Sequence, residues 1–435
     1  MKDCTLFDCK ERGEGVNTSP VIKSEFGQAY CGESGISNLM EDLGEALAKR
    51  DANTLMLGGG NPAHIPEVKD IIQKTLSEIV DDPVLCSRML GDYDPPAGHP
   101  AFREALATEL NARFGWPITA ENIFLSPGSQ ASFFTLFNAL AGRGRKIHLP
   151  LVPEYIGYGD IGVGPGLFRS HRPEIELHGQ FRFKYRVHPE AYELKDDVAA
   201  VCLSRPTNPT GNVLTDNEVS QLSALTKKAG IPLILDNAYG LPFPRIVFND
   251  AKPFWEEHVI LCMSLSKFGL PATRTGIVIA KPEIVKALGR ANTIQCLATP
   301  SMGPEIGLRL LQKQQLFLLS DEVIRPYYQR KVGHASERLE ANLEGLPCRI
   351  HEPEGALFLW LWCPDLPITS RQLYERLKAR GVLVIPGEDF FPGLDEPDWA
   401  HQRECLRISY AMSDDTVERG LAIIGEEVRK AYGVK

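Results

Sequence analysis

Between about residue 120 and residue 280 the chain repeats one pattern. Short continuous apolar runs at 122–125, 145–149, 199–203, 232–235, 259–263 and 276–280 read as strands buried on both faces. Apolar residues at helical spacing fill 130–140 and 216–229 between them. This alternation predicts a mostly parallel sheet covered by helices, an α/β fold. Further helices are predicted at 36–49, with Ser34 as its cap, and at 67–79 and 100–113.

Past residue 280 the pattern changes. Residues 304–342 read as one long helix, which Pro326 kinks or splits. From 349 to 435 strands at 357–362, 382–385 and 405–410 alternate with helices at 370–380 and 416–431. That composition suits a smaller α+β domain, with the long helix as connector. Residues 1–34 mix Gly, Ser, Lys and Glu without periodicity and are read as an arm without chemistry.

Composition narrows the function classes. The 435 residues are 43% hydrophobic and 24% charged, values of an ordinary globular enzyme. A net charge of −9 and the lack of basic clusters speak against nucleic acid or an anionic membrane as partner. The ten cysteines include no C-x-x-C pair, so neither a metal site nor a disulfide framework is expected, and a reducing cytoplasm is the default location. The longest apolar run of the C-terminal third, 356–363, is too short to span a bilayer. Three glycines, Gly58-Gly59-Gly60, end an apolar run, but no Gly-Lys-Ser/Thr follows and a P-loop is excluded.

Candidate chemistry collects where strands give way to loops, the ends at which open α/β sheets bind ligands. Ser264-Leu265-Ser266-Lys267 through Arg274 joins two of the apolar runs. It offers an amine able to form a Schiff base, with hydroxyls and a guanidinium able to hold an anion. Pro127-Gly128-Ser129-Gln130 opens a helix, whose N–H groups and dipole suit a phosphate. Tyr155, in Pro153-Glu154-Tyr155, could stack on a planar ring, and Asn208, between Pro206 and Pro209, could donate to a ring hydroxyl. Asp236 ends an apolar run, so its carboxylate needs a cation or several donors. A pyridinium nitrogen is such a cation, and Tyr239 follows three residues later. Each segment alone also fits an ordinary cap, turn or core residue.

Taken in order, Gly-Ser-Gln, Pro-Glu-Tyr, Asn-Pro-Thr-Gly, Asp-Asn-Ala-Tyr, Ser-Leu-Ser-Lys and Leu-Arg-Ile-Ser resemble the class I/II aminotransferases of fold type I, from about residue 34 to the C-terminus. Longer stretches, 56–63, 153–158, 204–213 and 390–395, resemble the bacterial valine–pyruvate branch of that family. The leader departs from the family pattern, and so does Ala272, where glycine is common. The resemblance implies an aspartate aminotransferase-like fold: an arm (1–34), an N-terminal segment of the small domain (35–66), a large domain (67–320) and a small C-terminal domain (321–435). It implies pyridoxal phosphate as cofactor, Lys267 as the Schiff-base lysine and Asp236 as partner of the ring nitrogen.

By the same resemblance Asn208 and Tyr239 hold the ring oxygen, and Tyr155 stacks on the ring. Ser129, Gln130, Ser264 and Arg274 bind the phosphate, with Ser266 beside them. Tyr93 reaches the phosphate of the second subunit of a homodimer. Arg407, with Gly60 and Asn208, binds the substrate carboxylate. The implied reaction is ping-pong transfer of an amino group from valine or a similar aliphatic amino acid to pyruvate, giving 2-oxoisovalerate and alanine. Tyr158, Tyr239 and Phe391 are expected as walls of the side-chain pocket. Dicarboxylate or aromatic substrates, or a lyase or synthase of the same fold, are the alternatives. A cofactor-binding transcription regulator would need a DNA-binding module, for which the residues before Ile36 are too few and insufficiently basic.

Overall fold

A computed structural model describes residues 21–31, 34, 37, 41, 44, 54–142, 144–191 and 194–434. Most of the helix expected at 36–49 and most of the arm lie outside the described residues, while Ser37, Glu41 and Gly44 are helical. The strands are β1 (Leu55–Met56), β2 (Ile123–Ser126), β3 (Lys146–Leu149), β4 (Phe168–Ser170), β5 (Glu174–His178), β6 (Arg182–Arg186), β7 (Val198–Ser204) and β8 (Leu233–Asp236). Then come β9 (Val259–Ser264), β10 (Gly276–Ile279), β11 (Arg349–His351), β12 (Phe358–Trp362), β13 (Val382–Leu383), β14 (Ile385–Pro386) and β15 (Cys405–Ser409).

A seven-stranded sheet in the order β2-β10-β9-β8-β7-β3-β4 forms the centre of the molecule. All its neighbours are parallel except at β10, which runs against both β2 and β9. Strands β7, β8, β9 and β10 are buried at every position, which is why they read as unbroken apolar runs. The helix Asp216–Ala229 carries the chain from β7 to β8. It opens with a capping box between Thr215 and Glu218 and stops at Gly230, whose φ is 68°. Among the described residues no helix is long and apolar enough to cross a membrane.

A six-stranded sheet, β14-β15-β12-β11-β6-β5, lies in the C-terminal part. Two of its strands, β5 and β6, come from residues 174–186, in the middle of the stretch expected to form the large domain. Their alternating charged and apolar residues gave no buried-strand signal, and β5 is covered only in part. Likewise β1 pairs with β13, bringing the N-terminal segment to the C-terminal part.

The single long helix expected at 304–342 is broken differently. It consists of Met302–Gln312, Gln315–Leu319, a π turn at Ser320–Ile324 and Arg325–Asn342. The first break falls at Gln314, which is left-handed with φ 57°. Pro326 sits in the first turn of the last segment, where its missing N–H costs nothing. The helices Pro83–Gly91 and Pro282–Cys296 were also not foreseen.

Candidate active site

Register brings the functional loops to one edge of the central sheet. Ser126, Gly276 and Ser264 lie side by side on β2, β10 and β9. Ser204 and Asp236 are paired on β7 and β8, and Asp236 is paired with Cys262 of β9. The carboxyl ends of the parallel strands and the start of antiparallel β10 therefore open onto the same space. A cavity of about 240 Å³ occupies it. Gly60, Ser129, Gln130, Tyr155, Asn208, Asp236, Tyr239, Ser264, Ser266, Lys267, Arg274 and Arg407 all line it. Tyr93 does not: it is 81% exposed and lies in a separate depression with Arg88, Asp94, His99 and Glu305.

Lys267 follows β9 on a short helical turn and donates from Nζ to the Gly60 carbonyl at 2.5 Å. Its ammonium lies 5.3 Å from the centre of the Tyr239 ring. Burial, and then the nearby Arg407 and Arg274, lower the pKa of this amine to about 8. Asp236 is buried, and burial raises its carboxyl to about 6, against the opposing hydrogen bonds and the charge of Lys267. Its Oδ2 accepts from the Tyr158 hydroxyl at 2.8 Å and its Oδ1 from the Ala238 N–H at 3.1 Å.

At the other side of the cavity Gly128 has φ 100°, and a Cβ built there would fall 2.1 Å from Arg274 Nη2. A Cβ on Gly276 would meet the Ser129 nitrogen at 2.8 Å. The two glycines thus let the guanidinium of Arg274 and the first N–H groups of the helix Ser129–Leu140 share one concavity. Arg274 itself is left-handed, φ 50°, and its Nη1 donates to the Pro271 carbonyl. Ser129 donates to the Met263 carbonyl, Gln130 to the Gly157 carbonyl, and the Ser264 hydroxyl accepts from the Ser266 N–H. Ala272 is exposed in the turn before Arg274, so its methyl meets no constraint.

Arg407 comes from the middle of β15 in the six-stranded sheet. Its Nη1 donates to Asn208 Oδ1 and its Nη2 to the Gly58 carbonyl, both at 2.7 Å. The guanidinium rests 4.1 Å above the Phe358 ring, and its Nε is buried without a partner among the described residues. Burial lowers its pKa to about 10, which still leaves it a cation at neutral pH.

These residues fit pyridoxal phosphate. A cationic concavity of N–H groups faces a dianion, a buried carboxylate lacks a full positive partner, and an amine stands with them. Tyr155 and Asn208 line the same space.

Several contributors were not singled out from sequence. Phe133, Ile156, Ser204, Pro206 and Ala238 also line the cavity, beside Gly58 of the glycine run. Glu154 stands behind it, buried, accepting from the Ser204 N–H and hydroxyl at 2.9 and 2.6 Å. Its own N–H donates to the Phe390 carbonyl. The Pro-Glu-Tyr motif is the sequence signal for Glu154. Two expected pocket walls are elsewhere: Phe391 packs against Trp399 at 5.6 Å, and Tyr158 is wholly buried with its hydroxyl on Asp236.

Comparison with known proteins adds an independent line. The family model for aminotransferase class I and II matches residues 52–424. The chain is similar to the valine–pyruvate aminotransferase of Escherichia coli K12, at 46% identity over 414 residues, 94% of this chain and 98% of that one. It is similar to the crystal structure of valine–pyruvate aminotransferase from Salmonella typhimurium LT2, with a TM-score of 0.85 and 46% identity, covering 92% and 100% of the two chains. A mutant aspartate aminotransferase of Thermus thermophilus shares the fold at 22% identity, with a TM-score of 0.74 over 92% and 99% of the chains.

Proposed function

The chain belongs to the class I and II aminotransferases, which are pyridoxal phosphate enzymes, and on that premise we propose that it moves an amino group from valine to pyruvate. The products are 2-oxoisovalerate and alanine. The observation that carries the substrate class is the set of cations around the cavity. Among the described residues these are Lys267, Arg274 and Arg407. Arg274 serves the phosphate concavity and Lys267 the reacting carbon, which leaves Arg407 to bind one carboxylate. A dicarboxylic substrate would need another cation. Ala238, Ile156 and Pro206 offer apolar surface to a short aliphatic side chain.

Pyridoxal phosphate, when bound, supplies an electrophilic carbon and a ring that accepts the electron pair left when the substrate loses its α-proton. Lys267 would hold the cofactor through Nζ, and its free amine is the group placed to take that proton from the substrate α-carbon. A lowered pKa keeps a useful fraction of this amine unprotonated near neutrality. Asp236 would keep a proton on the ring nitrogen, and Tyr239 and Asn208 would hold the ring oxygen. Arg407 clamps the substrate carboxylate with both Nη atoms, orienting the α-hydrogen. The second half-reaction runs the same steps in reverse from pyruvate, so the kinetics are ping-pong.

The enzyme works as a homodimer in the cytoplasm, with Tyr93 of each subunit reaching the phosphate in the other. Its exposure on a lone chain supports that reading. An amino-donor scan against pyruvate, following alanine, tests the substrate class. Valine and its near homologues should lead, since one methylene in an apolar pocket is worth about 1–3 kcal/mol. Faster turnover with aspartate or phenylalanine would replace this reading.

A further inference from the structure

Asp236 has a side-chain partner that the reaction above does not use. Tyr158 is wholly buried in an aromatic nest, edge-on to Phe133 and Phe137 at 5.3 and 5.2 Å and nearly parallel to Phe168 at 6.1 Å. Its hydroxyl leaves this nest at one point, donating to Asp236 Oδ2 at 2.8 Å, with the Cys202 thiol 4.0 Å away. The Ala238 N–H holds the other carboxylate oxygen. One donor on each oxygen fixes the carboxylate plane, and the ring packing fixes the donor.

We propose that Tyr158 is a positioning residue, which sets the direction and proton affinity of Asp236 and thereby the cationic character of the cofactor ring. The inference rests on the reading that Asp236 pairs with the ring nitrogen. Around Asp236 the other ionisable groups are Lys267, Glu154 behind Ser204, Tyr155, Tyr239 and the thiols of Cys202 and Cys262. Of these only Lys267 is a cation, and it is consumed in holding the cofactor. With Lys267 engaged, the Tyr158 hydroxyl and the Ala238 N–H are the two hydrogen bonds that favour the ionised acid. Tyr158 makes the larger contribution and the one a side-chain substitution removes. A neutral donor in a dry site favours the carboxylate without cancelling its charge, which stays available to the ring.

Without that bond Asp236 draws the proton off the ring nitrogen. The ring then loses positive charge, and the nitrogen joining Lys267 to the cofactor keeps its own proton to higher pH. The test is a pH titration of the holoenzyme's visible absorption band. For Tyr158→Phe the midpoint is expected to rise by about one unit, a tenfold change in proton affinity. With it kcat should fall about tenfold at unchanged KM. Placing 3-fluorotyrosine at 158 makes the phenol a stronger donor and should move the midpoint down. Tyr185→Phe removes another buried hydroxyl, bonded by Trp360, and should leave the midpoint alone. A Tyr158→Phe midpoint equal to wild type overturns the proposal. If that variant fails to keep cofactor, the fluorinated chain decides, and an unchanged or raised midpoint there overturns it as well. The midpoint readings use no amino donor, so an error in the substrate would leave them standing.

Discussion

Arg407 donates to Asn208 across 199 residues of sequence, and that 2.7 Å bond ties the six-stranded sheet to the loop after β7 of the seven-stranded one. Because Oδ1 of Asn208 is engaged as acceptor, its amide nitrogen is the group left to donate into the cavity. One contact therefore orients both the carboxylate clamp and the ring-oxygen donor.

Arg407→Lys should break this arrangement without unfolding the chain. A lysine keeps the charge but cannot make two parallel bonds from one plane. A loss of about a hundredfold in kcat/KM for the amino donor is expected, from two charge-assisted hydrogen bonds at about 1.5 kcal/mol or more each. The holoenzyme absorption band should shift as well, because Asn208 loses the partner that turns its amide nitrogen toward the ring oxygen. Steady-state kinetics with valine and a spectrum of the same preparation check both halves.

Gly128→Ala should loosen the cofactor. Its methyl would collide with Arg274, and its φ of 100° is a conformation that side chains avoid. About tenfold or weaker retention of cofactor is expected, read by dialysis and absorbance. Gly142→Ala serves as control: φ is 110° but nothing lies within 4 Å of its built Cβ. It should cost stability alone.

Glu154 gives a pH test on the apoenzyme. Burial raises its carboxyl from 4.5 to about 8, so the folded chain holds a proton that the unfolded chain has released. Stability from this site is therefore greatest below about pH 4.5, falls as pH rises and is fully lost above about 8. Glu154→Gln removes the titration, and its amide oxygen can still accept from the Ser204 N–H. Relative to wild type the variant should gain on the order of 4 kcal/mol between pH 5 and pH 8.5. Denaturation midpoints at the two values decide it, and a difference independent of pH would refute the assignment.

Lys267→Ala should abolish turnover at an unchanged melting temperature, because the α-proton loses its acceptor. Mixed with Tyr93→Ala subunits, it also tests the dimer. A mixed dimer has one site with both lesions and one with neither, so random exchange should restore about a quarter of wild-type activity. Mixtures no more active than their parents would mean that Tyr93 serves its own chain or none.

Asp236, Ser264 and Lys267 were legible because each terminates or follows a strand buried on both faces. A continuous apolar run marks such a strand, and a polar residue at its end is conspicuous. The hairpin β5–β6 was not legible, since a partly exposed strand carries mixed residues and its partner β11 lies far along the chain. The break at Gln314 was equally silent: helical spacing continues through a single left-handed residue.

The sequence by itself determined the alternation of buried strands and helices, and the order of chemical groups at the strand ends, because both are local. Only the tertiary structure decided which groups touch. Tyr158 reached Asp236, Glu154 took Ser204, and the carbonyls of Gly58 and Gly60 took Arg407 and Lys267. Those pairings depend on sheet register and on one sheet docking against the other, and short-range spacing carries neither.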